Sequence, residues 1–144
     1  MYASAHIVHL FMAILFVGTV FFEVLILETI RHRVSRDALR EVESAVGQRA
    51  RQIMPFVILL LFGSGLVMAY YHGPTLTNSW SSGFALQLGL KILLAFSVLA
   101  HFLTAMTWMV RRTMTSSRSR FIHYSVFSHV IVIVFLAKSM YYFG

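Results

Sequence analysis

The stretch HIVHLFMAILFVGTVFFEVLIL, His6 to Leu27, decides the fold. It is long enough to cross a bilayer, which takes about 20 apolar residues for roughly 30 Å of hydrocarbon, yet it carries His6, His9 and Glu23. An ionisable group inside a span costs roughly 2.5–3.5 kcal/mol at the helix centre on insertion scales, so each one needs a partner or a task. At about 100° and 1.5 Å per residue, the step from His9 to Glu23 leaves them roughly 40° apart around the helix and about 21 Å apart along it. They share a face at opposite depths. Met12, Ala13, Phe16, Val20 and Leu27 lie on that face, which is read as the inward one, and the small Ala13 leaves room for something flat near His9.

Working outward, the whole chain has the same character. Its 144 residues are 58% hydrophobic and 12% charged, with a mean hydropathy of +0.76, which places it in the membrane class. Four windows are apolar and long enough to span: about 5–28, 53–71, 86–109 and 122–142. Lipid offers no partners to backbone N–H and C=O groups, and four segments are too few for a barrel, so the spans are helices. The expected fold is a single all-α membrane domain over residues 1–144, a four-transmembrane-helix bundle. Without cysteine, disulfides and thiolate metal ligation are excluded.

The net charge of +7 does not indicate nucleic acid, because of where it sits. All ten arginines fall in two connections: Arg31, Arg33, Arg36, Arg40, Arg49 and Arg51 after the first span, and Arg111, Arg112, Arg118 and Arg120 after the third. The connection from His72 to Gln87 carries no charged residue. By the positive-inside rule both arginine-rich loops face the cytoplasm and both termini face out, as in a multi-pass protein of the cell inner membrane. Tyr2, Tyr70, Tyr71, Trp80, Tyr141 and Tyr142 then gather at the outer interface and Trp108 at the inner one. The basic residues set topology and contact membrane lipid.

Between the first two spans, Ser35 to Glu43 reads as a short amphipathic cytoplasmic helix or a helical extension, with Leu39, Val42 and Val46 on one stripe and its mixed charges solvated. Span two opens with Met54-Pro55, taken as a first-turn proline, and holds Gly63-Ser64-Gly65, small enough for a close helix or a planar ligand. Met68 and His72, four apart, could offer soft and imidazole ligands to copper. The only two lysines, Lys91 and Lys138, lie inside spans three and four.

Depth counted from the span ends sorts the polar groups into two layers. His9, Lys91 and Lys138, with His6 and His72 at the rim, occupy the outer half. Glu23, His101 and His129 are level in the inner half, from three helices, with His123 below them. His9 and His101 differ by roughly 14 Å, too far to ligate one centre. Imidazole with lysine suits an anionic cofactor such as heme, nitrogen to iron and ammonium to propionate. The inner carboxylate and two imidazoles could be a metal site, a second heme, a proton relay or a packed hydrogen-bonded pair.

The strings HLFMAILFVG (His9–Gly18), RQIMPFVILLLFGSGL (Arg51–Leu66), LGLKILLAFSVLAH (Leu88–His101) and VIVIVFLAKSMYYF (Val130–Phe143) resemble the small bacterial membrane protoporphyrinogen oxidases of the HemJ type and the related CopD-like copper-resistance domain. The likeness covers all four spans in order. It implies a heme b protein in which His9 and Lys91 are the functional pair, with hydrogens taken from a porphyrinogen and passed to a quinone or a respiratory partner. Two other readings stand beside it. One is copper handling through His6, His9, Met68, His72 and Met140. The other is a small accessory subunit whose helices only pack against a larger membrane complex; a homo-oligomer or a respiratory-complex partner is the expected assembly.

Overall fold

The computed structural model describes residues 1–73 and 83–142; the polar connection from Pro74 to Ser82, with Trp80, lies outside the described residues. All regular structure among the described residues is helical. Four helices are long and apolar enough to cross a membrane: α1 (Tyr2–Ile30), α2 (Arg36–Tyr71), α3 (Gly83–Val110) and α4 (Ser116–Tyr142). The all-α, four-helix class expected from the hydropathy pattern is what the chain forms. By internal contacts the chain divides into two units, Met1–Tyr71 and His72–Gly144.

In the first unit α1 packs against α2. Phe16, Val20, Val24 and Leu27 of α1 are buried, with Val57, Ile58 and Ser64 of α2, while Leu10, Phe11, Ile14 and Leu15 are exposed. The inward face read from His9 to Leu27 is therefore the packed one, and the apolar exterior is what a helix in lipid presents. Around Glu23 the helix widens to a π-helix over Phe22–Leu27, where the Glu28 N–H donates to the Glu23 carbonyl five residues back. Such widenings occur mostly as single turns inside α-helices, frequently at functional sites.

The sequence leaves two forms open for the amphipathic segment and places Pro55 in a first turn. The amphipathic segment is not separate: α2 runs unbroken for 36 residues, so the segment is the extension of span two. Pro55 therefore sits in the helix interior, where it removes the N–H that would have bonded the Arg51 carbonyl, and not in a first turn. The stripe also rotates slightly. Leu39, Glu43 and Val46 are partly buried while Val42 is 43% exposed, because Glu43 turns inward to Arg31. Arg31 pairs with Glu28 at 3.0 Å and with Glu43 at 2.6 Å, tying the end of α1 to α2.

In the second unit α3 and α4 are antiparallel. Gln87 meets Ser139, Ser97 meets His129, and His101 meets Ser125, so each step forward along α3 is matched by an equal step back along α4. Leu88 and Val98 of α3 and Ile122, Val126, Val130, Leu136 and Met140 of α4 are buried. The turn between them is a Schellman cap. Arg112 N–H donates to the Met109 carbonyl at 3.1 Å and Thr113 N–H to the Trp108 carbonyl at 2.9 Å.

Candidate functional site

His9 is half-buried on the packed face of α1, one residue in a helix whose neighbours Leu10 and Phe11 face out. Its Nδ1 lies 3.0 Å from the Leu61 carbonyl and 3.3 Å from Ser64 Oγ, both on α2. A carbonyl only accepts, so the proton is on Nδ1 and the lone pair is on Nε2. Ser64 adds to this arrangement. Its own hydroxyl donates to the Leu60 carbonyl at 2.6 Å, leaving its oxygen to share the imidazole proton. Gly65 is needed beneath the ring, since a Cβ there would stand 3.2 Å from His9 Cε1. The Gly63-Ser64-Gly65 run is thus divided in use. Gly65 receives the imidazole, Ser64 is its buried acceptor, and Gly63 opens onto a groove of about 300 Å³ with Ser4, Ala5 and Val8.

His6 and His72 take rim positions against aromatic rings. Tyr2 meets His6 at 6.1 Å and Tyr71 at 5.6 Å, and Phe84 meets His72 at 6.1 Å and Tyr141 at 6.3 Å. These are the aromatic ends the belt pattern anticipates. Lys91 is half-buried on the side of α3 that carries Leu88 and Val98, whereas Lys138 is exposed. Two residues from the buried Met140, about 200° around α4, Lys138 points away from the α3 seam.

His101 and His129 do come together, with ring centroids 5.3 Å apart. What holds them was not anticipated from the sequence. His101 Nδ1–H donates to the Ser97 carbonyl at 2.7 Å, and His129 Nδ1–H to the Ser125 carbonyl at 2.7 Å. Each Nε2 then accepts from the serine of the other helix, Ser125 Oγ to His101 at 2.9 Å and Ser97 Oγ to His129 at 3.0 Å. The four bonds close a ring in which both imidazoles are neutral and both ring nitrogens of each are engaged. A metal entering here must displace a serine hydroxyl. Ser97 and Ser125 were missed, although a signal was present in the twice-repeated Ser-x-x-x-His, at 97–101 and 125–129. A groove of about 500 Å³ lined by Phe121, Tyr124, Ser125, Ser128 and His129 lies beside this ring. Glu23, expected at the same depth, belongs to the first unit and lies half-buried on the π-helical turn.

No protein-family model, curated protein or solved structure matches this chain. The site is therefore judged on its own chemistry. Among the described residues no three His, Asp or Glu side chains group as a metal-binding set. That limits what imidazoles and carboxylates alone could hold, but a porphyrin brings four of iron's ligands itself and asks the protein for one or two.

Proposed function

We propose that the chain is a heme b-binding membrane redox protein resembling the HemJ-type protoporphyrinogen oxidases, with His9 as an axial ligand. The observation that carries this is the 3.0 Å contact of His9 Nδ1 with the Leu61 carbonyl. Histidines that bind metals almost always donate the other ring N–H to a carbonyl or carboxylate, which fixes the tautomer and raises the basicity of the ligating nitrogen. His9 donates its Nδ1–H in that way, to the Leu61 carbonyl. His101 and His129 donate Nδ1–H to carbonyls as well, but the Nε2 of each also accepts a serine proton.

Lys91 supports the same reading from charge. All five acidic residues, Glu23, Glu28, Asp37, Glu41 and Glu43, precede residue 72, so the unit that holds Lys91 and Lys138 contains no Asp or Glu. An ammonium in a span is costly to keep without an anion, and the propionates of a heme or the carboxylates of a porphyrin substrate would supply one. When bound, heme b would supply one-electron redox chemistry. The protein's part is to hold the imidazole through Leu61 and Ser64 and to offer a cation at Lys91. Electrons would pass to a quinone or a respiratory partner in the inner membrane, with the arginine-rich loops cytoplasmic.

The test is the visible spectrum of the purified chain. A Soret band with a dithionite-sensitive α band is expected, and His9→Ala should abolish most of the heme while His32→Ala leaves it. Full heme content and an unchanged reduced spectrum in His9→Ala would defeat the assignment; bound copper without a Soret band would move the function to copper handling.

A further inference from the structure

We propose that the turn between α3 and α4 is a binding site for the phosphate of an anionic lipid headgroup, held by Arg111, Arg112 and Arg118 above Trp108. The first observation concerns backbone. Arg112 occupies the Schellman position at φ 54°, the only non-glycine residue at positive φ among the described residues. Glycine is the ordinary occupant of that position because a Cβ is strained there, so an arginine at this place calls for a compensating gain.

The second observation is that the turn is braced. Arg118 Nη1–H donates to the Thr113 carbonyl at 2.8 Å, and its guanidinium lies 4.8 Å from the centre of the Trp108 ring. Thr115 Oγ1 accepts the Arg118 N–H at 3.3 Å and caps the start of α4. The guanidinium groups are thus carried on a closed, stapled turn.

The third observation is charge without counter-charge. In the first unit the corresponding arginine, Arg31, is neutralised by Glu28 and Glu43. The second unit has no acidic residue, and Arg111, Arg112, Arg118 and Arg120 are all exposed. Four cations within ten residues repel one another and have no Asp or Glu in their own unit to offset them, so an anion bound there would be favoured. Position says which anion. Val110 and Phe121, 78% and 63% exposed, flank the turn as the last apolar residues of two membrane-length helices, and Trp108 sits at that edge as an interfacial anchor does. The arginines therefore stand at headgroup depth, where lipid phosphate is the abundant anion, and the guanidinium fork suits phosphate oxygens.

The experiment is a phosphatidylglycerol titration of the full-length chain in neutral detergent, with retained lipid counted by native mass spectrometry. Arg112→Gly keeps the cap and relieves the positive φ, so it should stay folded. Arg112→Gly and Arg111→Gln should each weaken lipid binding about fivefold, the equivalent of about 1 kcal/mol per basic residue. Arg33→Gln, at an exposed cation of the other turn, should change it less than twofold, and millimolar inorganic phosphate should not displace the lipid. Wild-type affinity in Arg112→Gly, an equal loss in Arg33→Gln, or displacement by inorganic phosphate would each overturn the proposal.

Discussion

The Ser97–His129 and Ser125–His101 bonds give the sharpest quantitative prediction, because the two halves of the ring are chemically the same. Ser97→Ala removes the donor to His129 Nε2 and leaves that lone pair unsatisfied in the α3–α4 seam. In a soluble core an orphaned polar group costs about 1–3 kcal/mol. Between membrane helices single hydrogen bonds average about 0.6 kcal/mol and reach about 1.7, because the chain unfolded in lipid also finds partners. Both imidazoles are half-buried and keep their Nδ1 bonds to their own helix, so the expected loss is about 0.6–1 kcal/mol. Ser125→Ala should cost the same within about 0.5 kcal/mol, and because both bonds belong to one ring the double variant should depart from the sum. Ser128→Ala is the control, since its hydroxyl donates only to Tyr124 within α4 and crosses to no other helix. Reversible unfolding in mixed micelles measures all four, and nitrogen NMR of the imidazoles should place the protons on Nδ1. A loss at Ser97 no larger than at Ser128, or a proton found on Nε2, would refute the closed ring.

Other outcomes follow from the first unit. Gly65→Ala puts a methyl 3.2 Å from His9 Cε1, so the ring must shift by a few tenths of an ångström; heme content should fall, whereas Gly63→Ala, with open space around it, should leave the spectrum unchanged. Glu43→Gln weakens one of two partners of Arg31, a pair 27% and 36% exposed, and should cost about 0.3–1 kcal/mol, less at high salt. For orientation, single cysteines at Ser79 and Ser116 treated with an impermeant thiol reagent in intact cells should label at Ser79 and not at Ser116; the reverse pattern inverts the topology.

The helices were legible because lipid leaves so few choices. Four apolar windows in a chain with no alternative partners for its backbone had to be helical, and the face from His9 to Leu27 had to turn inward because it carried the ionisable pair His9 and Glu23. Pro55 was misplaced for a related reason. Hydropathy marks where lipid begins, not where a helix begins, and α2 starts nineteen positions before Pro55, in water-compatible sequence that continues the same backbone.

The polar site was only half legible, and its two histidine sets explain the division. Residue type and depth follow from a sequence, so His9, His101 and His129 could be singled out as groups needing a reason. The chemistry of each depends on what meets its second nitrogen, and that is fixed by interhelical register, which hydropathy does not encode. For His9, Leu61 and Ser64 across the seam offer a carbonyl and a hydroxyl that both take the Nδ1 proton. For His101 and His129 the local half was open to inspection, since Ser97 and Ser125 each stand one turn back on the same helix. The decisive half was the antiparallel match that swaps the two hydroxyls between helices and occupies both Nε2 atoms. Identical side chains at similar cost in lipid thus divide into a candidate ligand and a helix clamp. The division rests on which nitrogen the neighbouring helix meets, Nδ1 in His9 and Nε2 in His101 and His129.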